Sequence, residues 1–126
     1  MKLANTALAI AVFWAGVASA QADSYTQAKA KADADEAALS STDANTLLKA
    51  QGVVLGEGIA ACATPNPDMA PFVVVAELDS AGRIVRTWRE GGTPLAICFQ
   101  KQLANRVLSR PPRAPFFTSF ELSFTP

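Results

Sequence analysis

Apolar and polar positions alternate most cleanly between residues 72 and 89. Phe72-Val73-Val74-Val75-Ala76-Glu77-Leu78 reads as a strand with Phe72, Val74, Ala76 and Leu78 on one face. Asp79-Ser80-Ala81-Gly82 follows as a tight connection, in which Asp can bond the turn backbone and Gly can take positive φ. Arg83 to Arg89 returns as a second strand. Its pattern alone does not choose between the Ile84/Arg86/Trp88 face and the Arg83/Val85/Thr87/Arg89 face. The first is favoured as the inward one, with Arg86 laid out along its stem.

Gly91-Gly92 ends the second strand, and Thr93-Pro94 opens a helix with a capping hydroxyl and a proline at its first position. Leu95, Cys98, Phe99, Leu103 and Val107 recur mostly at spacings of three and four, an amphipathic stripe. Arg106 falls in the last turns, and Pro111-Pro112 stop the helix. Phe116 to Phe124 reads as a closing strand. Phe116, Thr118, Phe120, Leu122 and Phe124 face one way, and Phe117, Ser119, Glu121 and Ser123 the other.

Before the hairpin, helical spacing begins at Asn45, with Leu48, Leu55, Ile59 and Cys62 able to share a face. Gly52, Gly56 and Gly58 each weaken that helix by about 1 kcal/mol relative to Ala, and Pro65 and Pro67 end it. Residues 23–45 are mostly Ala, Asp, Lys, Ser and Thr, with Tyr25 and Leu39 the only large side chains of apolar character. They read as a tether or frayed helix. The expected architecture is α+β: a small two-layer domain at 46–126, a three-stranded antiparallel sheet packed by one main helix and a preceding helical segment.

The first 22 residues have the layout of a secretory signal. Lys2 supplies a positive start, Leu3 to Val17 an apolar run, and Ala18-Ser19-Ala20 and Ala20-Gln21-Ala22 are overlapping small-x-small cleavage sites. The run is short for a spanning helix, which needs roughly 20 residues, so the expected product is a periplasmic or secreted protein without stable membrane insertion. About 104 residues then remain, enough for one domain.

Composition narrows the function. Eleven Lys plus Arg balance eleven Asp plus Glu, so the basic excess of a phosphate-neutralising nucleic-acid binder is missing. The chain has no histidine, which removes the commonest general base and most zinc and haem sites. Glu77 and Asp79 lie two apart, and Ser40, Ser41 and Ser80 have no evident activating base. Roles in the turn and in solvation suffice for the two carboxylates, and no phosphate loop or metal-ligand cluster is present. No catalytic residue, cofactor or metal is expected, and an enzyme is the poorest fit.

Cys62 and Cys98 are the only cysteines. An even count in an exported chain argues for a disulfide, and one intramolecular pairing exists, closing a loop of about 37 residues around the hairpin. The spacing is not CxxC, and Cys98 lies mid-stripe rather than at a helix N-terminus, so a structural bond is expected rather than a reactive thiol.

Cys62, the Leu78-Asp79-Ser80-Ala81-Gly82-Arg83-Ile84 turn, Cys98, the Pro111-Pro112 and Pro115-Phe116 exit and the closing Leu122-Ser123-Phe124 occur in a telling order. Over Val53 to Phe124 the chain resembles the C-terminal domain of TonB-type energy transducers, and more closely the AgmX/PglI-type C-terminal domain. Its closing motif departs from the F-x-F of that family by a leucine at 122. The resemblance implies a binding module that meets partners by backbone pairing at a sheet edge. Energy transducers of this kind have an inner-membrane anchor and a Pro-rich rod; here the anchor looks cleavable and the rod is missing, so energy transduction is not expected to carry over.

The leading expectation is therefore a small exported partner-binding or adaptor module of the cell envelope with no chemistry of its own. The runner-up is a structural or accessory envelope protein without a specific partner. If the closing strand is an edge, the Phe117, Ser119, Glu121, Ser123 side is the candidate surface for pairing with another envelope protein. Arg83, Arg86 and Arg89 could attract an acidic partner or anionic cell-wall material, or serve as ordinary solvated surface, and Phe117 could instead lie under the N-terminal segment. An apolar patch beside an open strand edge would separate the binding module from the structural protein.

Overall fold

The computed structural model describes residues 22–125. Their elements are α1 (Tyr25–Ala37), α2 (Ser41–Ala61), β1 (Phe72–Leu78), β2 (Ile84–Glu90), α3 (Pro94–Gln102) and β3 (Phe116–Leu122). The strands form one antiparallel sheet in the order β2-β1-β3. The α+β class and the three-stranded sheet are as the pattern predicts.

The main core lies between one face of the sheet and α2 with α3. Phe72, Val74, Ala76 and Leu78 of β1 meet Phe116, Phe120 and Leu122 of β3, Leu95, Ala96 and Phe99 of α3, and Leu47 and Val54 of α2. Phe99 is wholly buried, its ring edge-on to Phe120 at 5.6 Å between centroids and tilted against Phe72 at 5.9 Å. Cys62, at the C-cap of α2, is bonded to Cys98 in α3, with Cα atoms 5.8 Å apart. The bond clasps the two helices over the same core, as the cysteine count implies.

Residues 23–45 are largely helical, but packed rather than the expected tether or frayed helix. Ser24 caps α1, and Ala28 and Ala32 are fully buried against Val75 and Phe117 on the sheet's other face. The helix packs with two methyl groups rather than a stripe of large residues. Alanine is too weakly apolar to stand out in a periodicity reading, yet its small side chain lets a helix sit close on a sheet. The sheet thus carries a helical layer on each face. α2 starts four residues before the expected Asn45, because the Ser40 hydroxyl accepts the Asp43 amide and caps it there.

Three details of pattern also resolve differently. In α2 Leu55, Ile59 and Cys62 of the expected face do pack on the core, but the buried positions also include Leu47, Val54 and Gly58, and Leu48 is 66% exposed. In β2 a bulge opposite Glu77 and Leu78 leaves Val85 unpaired. It puts Ile84 in the main core while Trp88 packs on the α1 side, so the favoured Ile84/Arg86/Trp88 face is split. α3 ends at Gln102, since Asn105 takes a left-handed φ of 63° just beyond it. Val107, expected on the helical stripe, instead bridges Arg83 and is 58% exposed.

Two glycines are required by geometry. Gly82 has φ +86°, and a Cβ there would lie 2.4 Å from the Ser109 carbonyl oxygen. Gly91, at φ +109°, would meet the Phe72 Cβ at 2.7 Å. The glycines of α2 divide by surroundings. A Cβ on Gly52 or Gly56 meets nothing within 4 Å, whereas one on Gly58 falls 3.0 Å from the Phe99 ring. Gly52→Ala and Gly56→Ala are therefore expected to stabilise by up to about 1 kcal/mol each in chemical denaturation. Gly58→Ala is expected to destabilise, because Phe99 is wedged between two other rings and cannot give way.

Candidate functional site

The sheet has two edges, and they differ. At the β3 edge the Phe117 amide donates to Asp35 Oδ2 at 2.9 Å, and the Ser119 amide donates to Glu36 Oε1 at 2.7 Å. Gln51 of α2 donates to the Ser119 carbonyl at 3.2 Å and to the Thr118 hydroxyl at 2.8 Å. Two acceptors and one donor from the helices thus meet edge groups that an added strand would otherwise pair. Arg113 holds Asp35 from the other side, and Lys29 bridges Asp33 and Glu121, the latter at 2.9 Å. The Asp33 and Glu121 carboxylates hold the Lys29 ammonium above its ordinary pKa.

The four residues expected to line a partner strand are therefore placed as follows. Phe117 is buried beneath α1, with its ring 5.7 Å from that of Trp88, so it offers no outward apolar contact. Ser119 is capped by Glu36, Glu121 is exposed and paired with Lys29, and Ser123 lies exposed beyond the strand end. β3 does lie at an edge of the sheet, but side chains of α1 and α2 occupy the centre of that edge. The signal for this was the Asp35-Glu36 pair near the end of α1, which only the packed helix brings to the strand.

Each of these caps has a measurable worth. Glu36 Oε1 serves the Ser119 amide and, at 3.1 Å, the wholly buried Thr118. Glu36→Ala is expected to cost about 1–3 kcal/mol in urea unfolding, because the Ser119 amide and the Thr118 hydroxyl proton lose their acceptor, Gln51 serving Thr118 only as a donor.

The β2 edge is different. Phe117 and Ser119 direct their amides away from β1, so their neighbours Glu77 and Val75 direct backbone groups toward Arg86 and Trp88. By alternation, the backbone groups of Thr87 and Arg89 face outward from β2. The backbone of segment 106–108 meets the hairpin only at residues 82 and 84, through Ile84 N–H to the Arg106 carbonyl and Leu108 N–H to the Gly82 carbonyl, each at 2.8 Å. No strand lies beyond β2 among the described residues. A groove of about 320 Å³ runs beside it, lined by Ile84, Val85, Arg86, Thr87, Ala104 and Asn105. Val85 is 45% exposed, and Val107, whose backbone bridges Arg83, is exposed close by.

The three arginines have local partners. Arg83 lies 3.7 Å from Asp79, Arg86 stacks 4.6 Å above Trp88 and donates to the Ala22 carbonyl, and Arg89 bonds the Gly91 carbonyl and Gln100. Asp79 accepts the amides of Ala81 and Arg83, the turn role expected of it. A recess of about 400 Å³ at the sheet end is lined by Phe72, Glu90, Glu121 and neighbours. Among the described residues no three His, Cys, Asp or Glu side chains are grouped to hold a metal ion, and no helix is long and apolar enough to cross a membrane. No family model, curated protein or solved structure matches the chain.

Proposed function

We propose that the protein is a small exported partner-binding module of the cell envelope that accepts an extended segment of another protein at the β2 edge and carries out no chemistry of its own. The observation that carries this reading is the pairing of outward backbone groups at Thr87 and Arg89 with an adjoining groove and two exposed valines. Strand addition draws affinity from main-chain hydrogen bonds and selectivity from neighbouring side-chain pockets. Export, and the kinship with TonB-type C-terminal domains, belong to the same proposal. The order helix, strand, strand, helix, strand and the Cys62–Cys98 bond support it.

The same observation favours a binding module over a structural protein without a partner, since the two valines lie beside a free edge rather than in a sealed surface. The test is capture from intact envelopes by the oxidised mature chain, compared with Thr87→Pro. Proline removes the outward N–H without removing a bond to β1. Loss of a saturable partner in a variant with near-unchanged melting supports the proposal. Undiminished capture by Thr87→Pro overturns binding at this edge.

A further inference from the structure

We infer that signal peptidase cuts this chain after Ala20 and not after Ala22, so that the mature protein begins at Gln21. This inference rests on the export proposal and assigns its processing site. The sequence offers two overlapping sites, and a signal spanning residues 1–22 would use the second. The structure distinguishes them by what each cut would do to the folded domain.

Ala22 belongs to that domain. It is fully buried in the cluster formed by Ala28, Ala32, Val75 and Phe117, and its carbonyl accepts a hydrogen bond from the Arg86 guanidinium at 2.9 Å. The same guanidinium lies on the Trp88 ring, so Ala22, Arg86 and Trp88 close the end of the α1 layer over β2. Hydrolysis after Ala22 would remove both the buried methyl and the acceptor.

The charge left by each cut points the same way. Water adds across the scissile peptide, leaving a carboxylate on the released signal and an ammonium on the mature chain. After Ala22 that ammonium would sit on Asp23, next to the place where Arg86 now finds a carbonyl oxygen, and two cations would face each other. Asp23 also directly precedes Ser24, the N-cap of α1, and its amide donates to Gln27 Oε1 at 2.8 Å. A positive charge there opposes the helix dipole. A cut after Ala20 puts the ammonium two residues further from the helix and keeps the Ala22 carbonyl in an ordinary peptide bond.

The experiment is the intact mass and N-terminal sequence of the protein recovered from the envelope of a bacterial host expressing the full chain. A product beginning at Gln21 supports the inference, as does the same product lighter by one ammonia, from attack of the Gln21 amine on its own side-chain amide. A product beginning at Asp23 overturns the inference while leaving export standing. A product that retains Met1 overturns export and the inference together. A second variant, Ala18→Leu, spoils the small-x-small pattern of the first site and leaves the second intact. Its exported product is expected to accumulate uncut, or to begin at Asp23 and melt below the natural product. An unchanged rate of processing to an Asp23 start, with unchanged melting, overturns the inference.

Discussion

Breaking the Cys62–Cys98 bond is expected to lower the melting temperature by roughly 15–30 °C. The two residues are 36 apart in sequence, and the bond links the cap of α2 to the middle of α3 across the main core. Closing a loop of that length removes chain entropy from the unfolded state worth about 3.8 kcal/mol. A domain of this size has a total stability of only about 5–15 kcal/mol, so the loss is a large share of the whole. Calorimetry of the Cys62→Ser/Cys98→Ser chain beside the reduced natural chain checks it, and both should melt at nearly the same depressed temperature. A shift of only about 2 °C would mean that packing alone holds α2 on α3.

Phe99→Ala is the side-chain truncation expected to cost most, about 3–5 kcal/mol by urea unfolding. The ring is fully buried, it touches Phe72 and Phe120, and it backs onto Gly58. Removing it leaves a cavity that neither the sheet nor the disulfide-tethered helix can collapse to fill. The neighbouring glycine gives an internal control. Gly58→Ala is destabilising in the natural chain, but in a Phe99→Leu background the added methyl meets a smaller side chain. The two substitutions should then be less harmful together than the sum of their separate costs. Strict additivity would show that the ring does not limit the approach of α2.

The core and its strands were legible because large residues announce themselves. Phe72 to Leu78 alternates cleanly, the Asp79–Gly82 turn carries its own chemistry, and three phenylalanines and a leucine mark β3. The cysteine pair was readable by counting. The bulge at Val85 was not, since one extra residue leaves no trace in composition and shifts Trp88 to the opposite face. The packing of α1 on the sheet was hidden for a related reason, because its apolar contact is made chiefly by Ala28 and Ala32.

The candidate site was harder still. Sequence can propose strands but not their lateral order, so the closing strand was the natural choice of free edge. The acceptors that occupy its centre lie 82 and 83 residues away along the chain. The outward edge of β2 is composed of backbone groups, which every residue carries and no pattern distinguishes.

Strand addition at β2 requires that this edge be free while the β3 edge is occupied from within. Residue-resolved amide exchange of the oxidised mature chain measures this directly. The Thr87 and Arg89 amides are expected to exchange at least about tenfold faster than those of Phe117 and Ser119. Equal protection at the four positions, or faster exchange at Phe117 and Ser119, would contradict it.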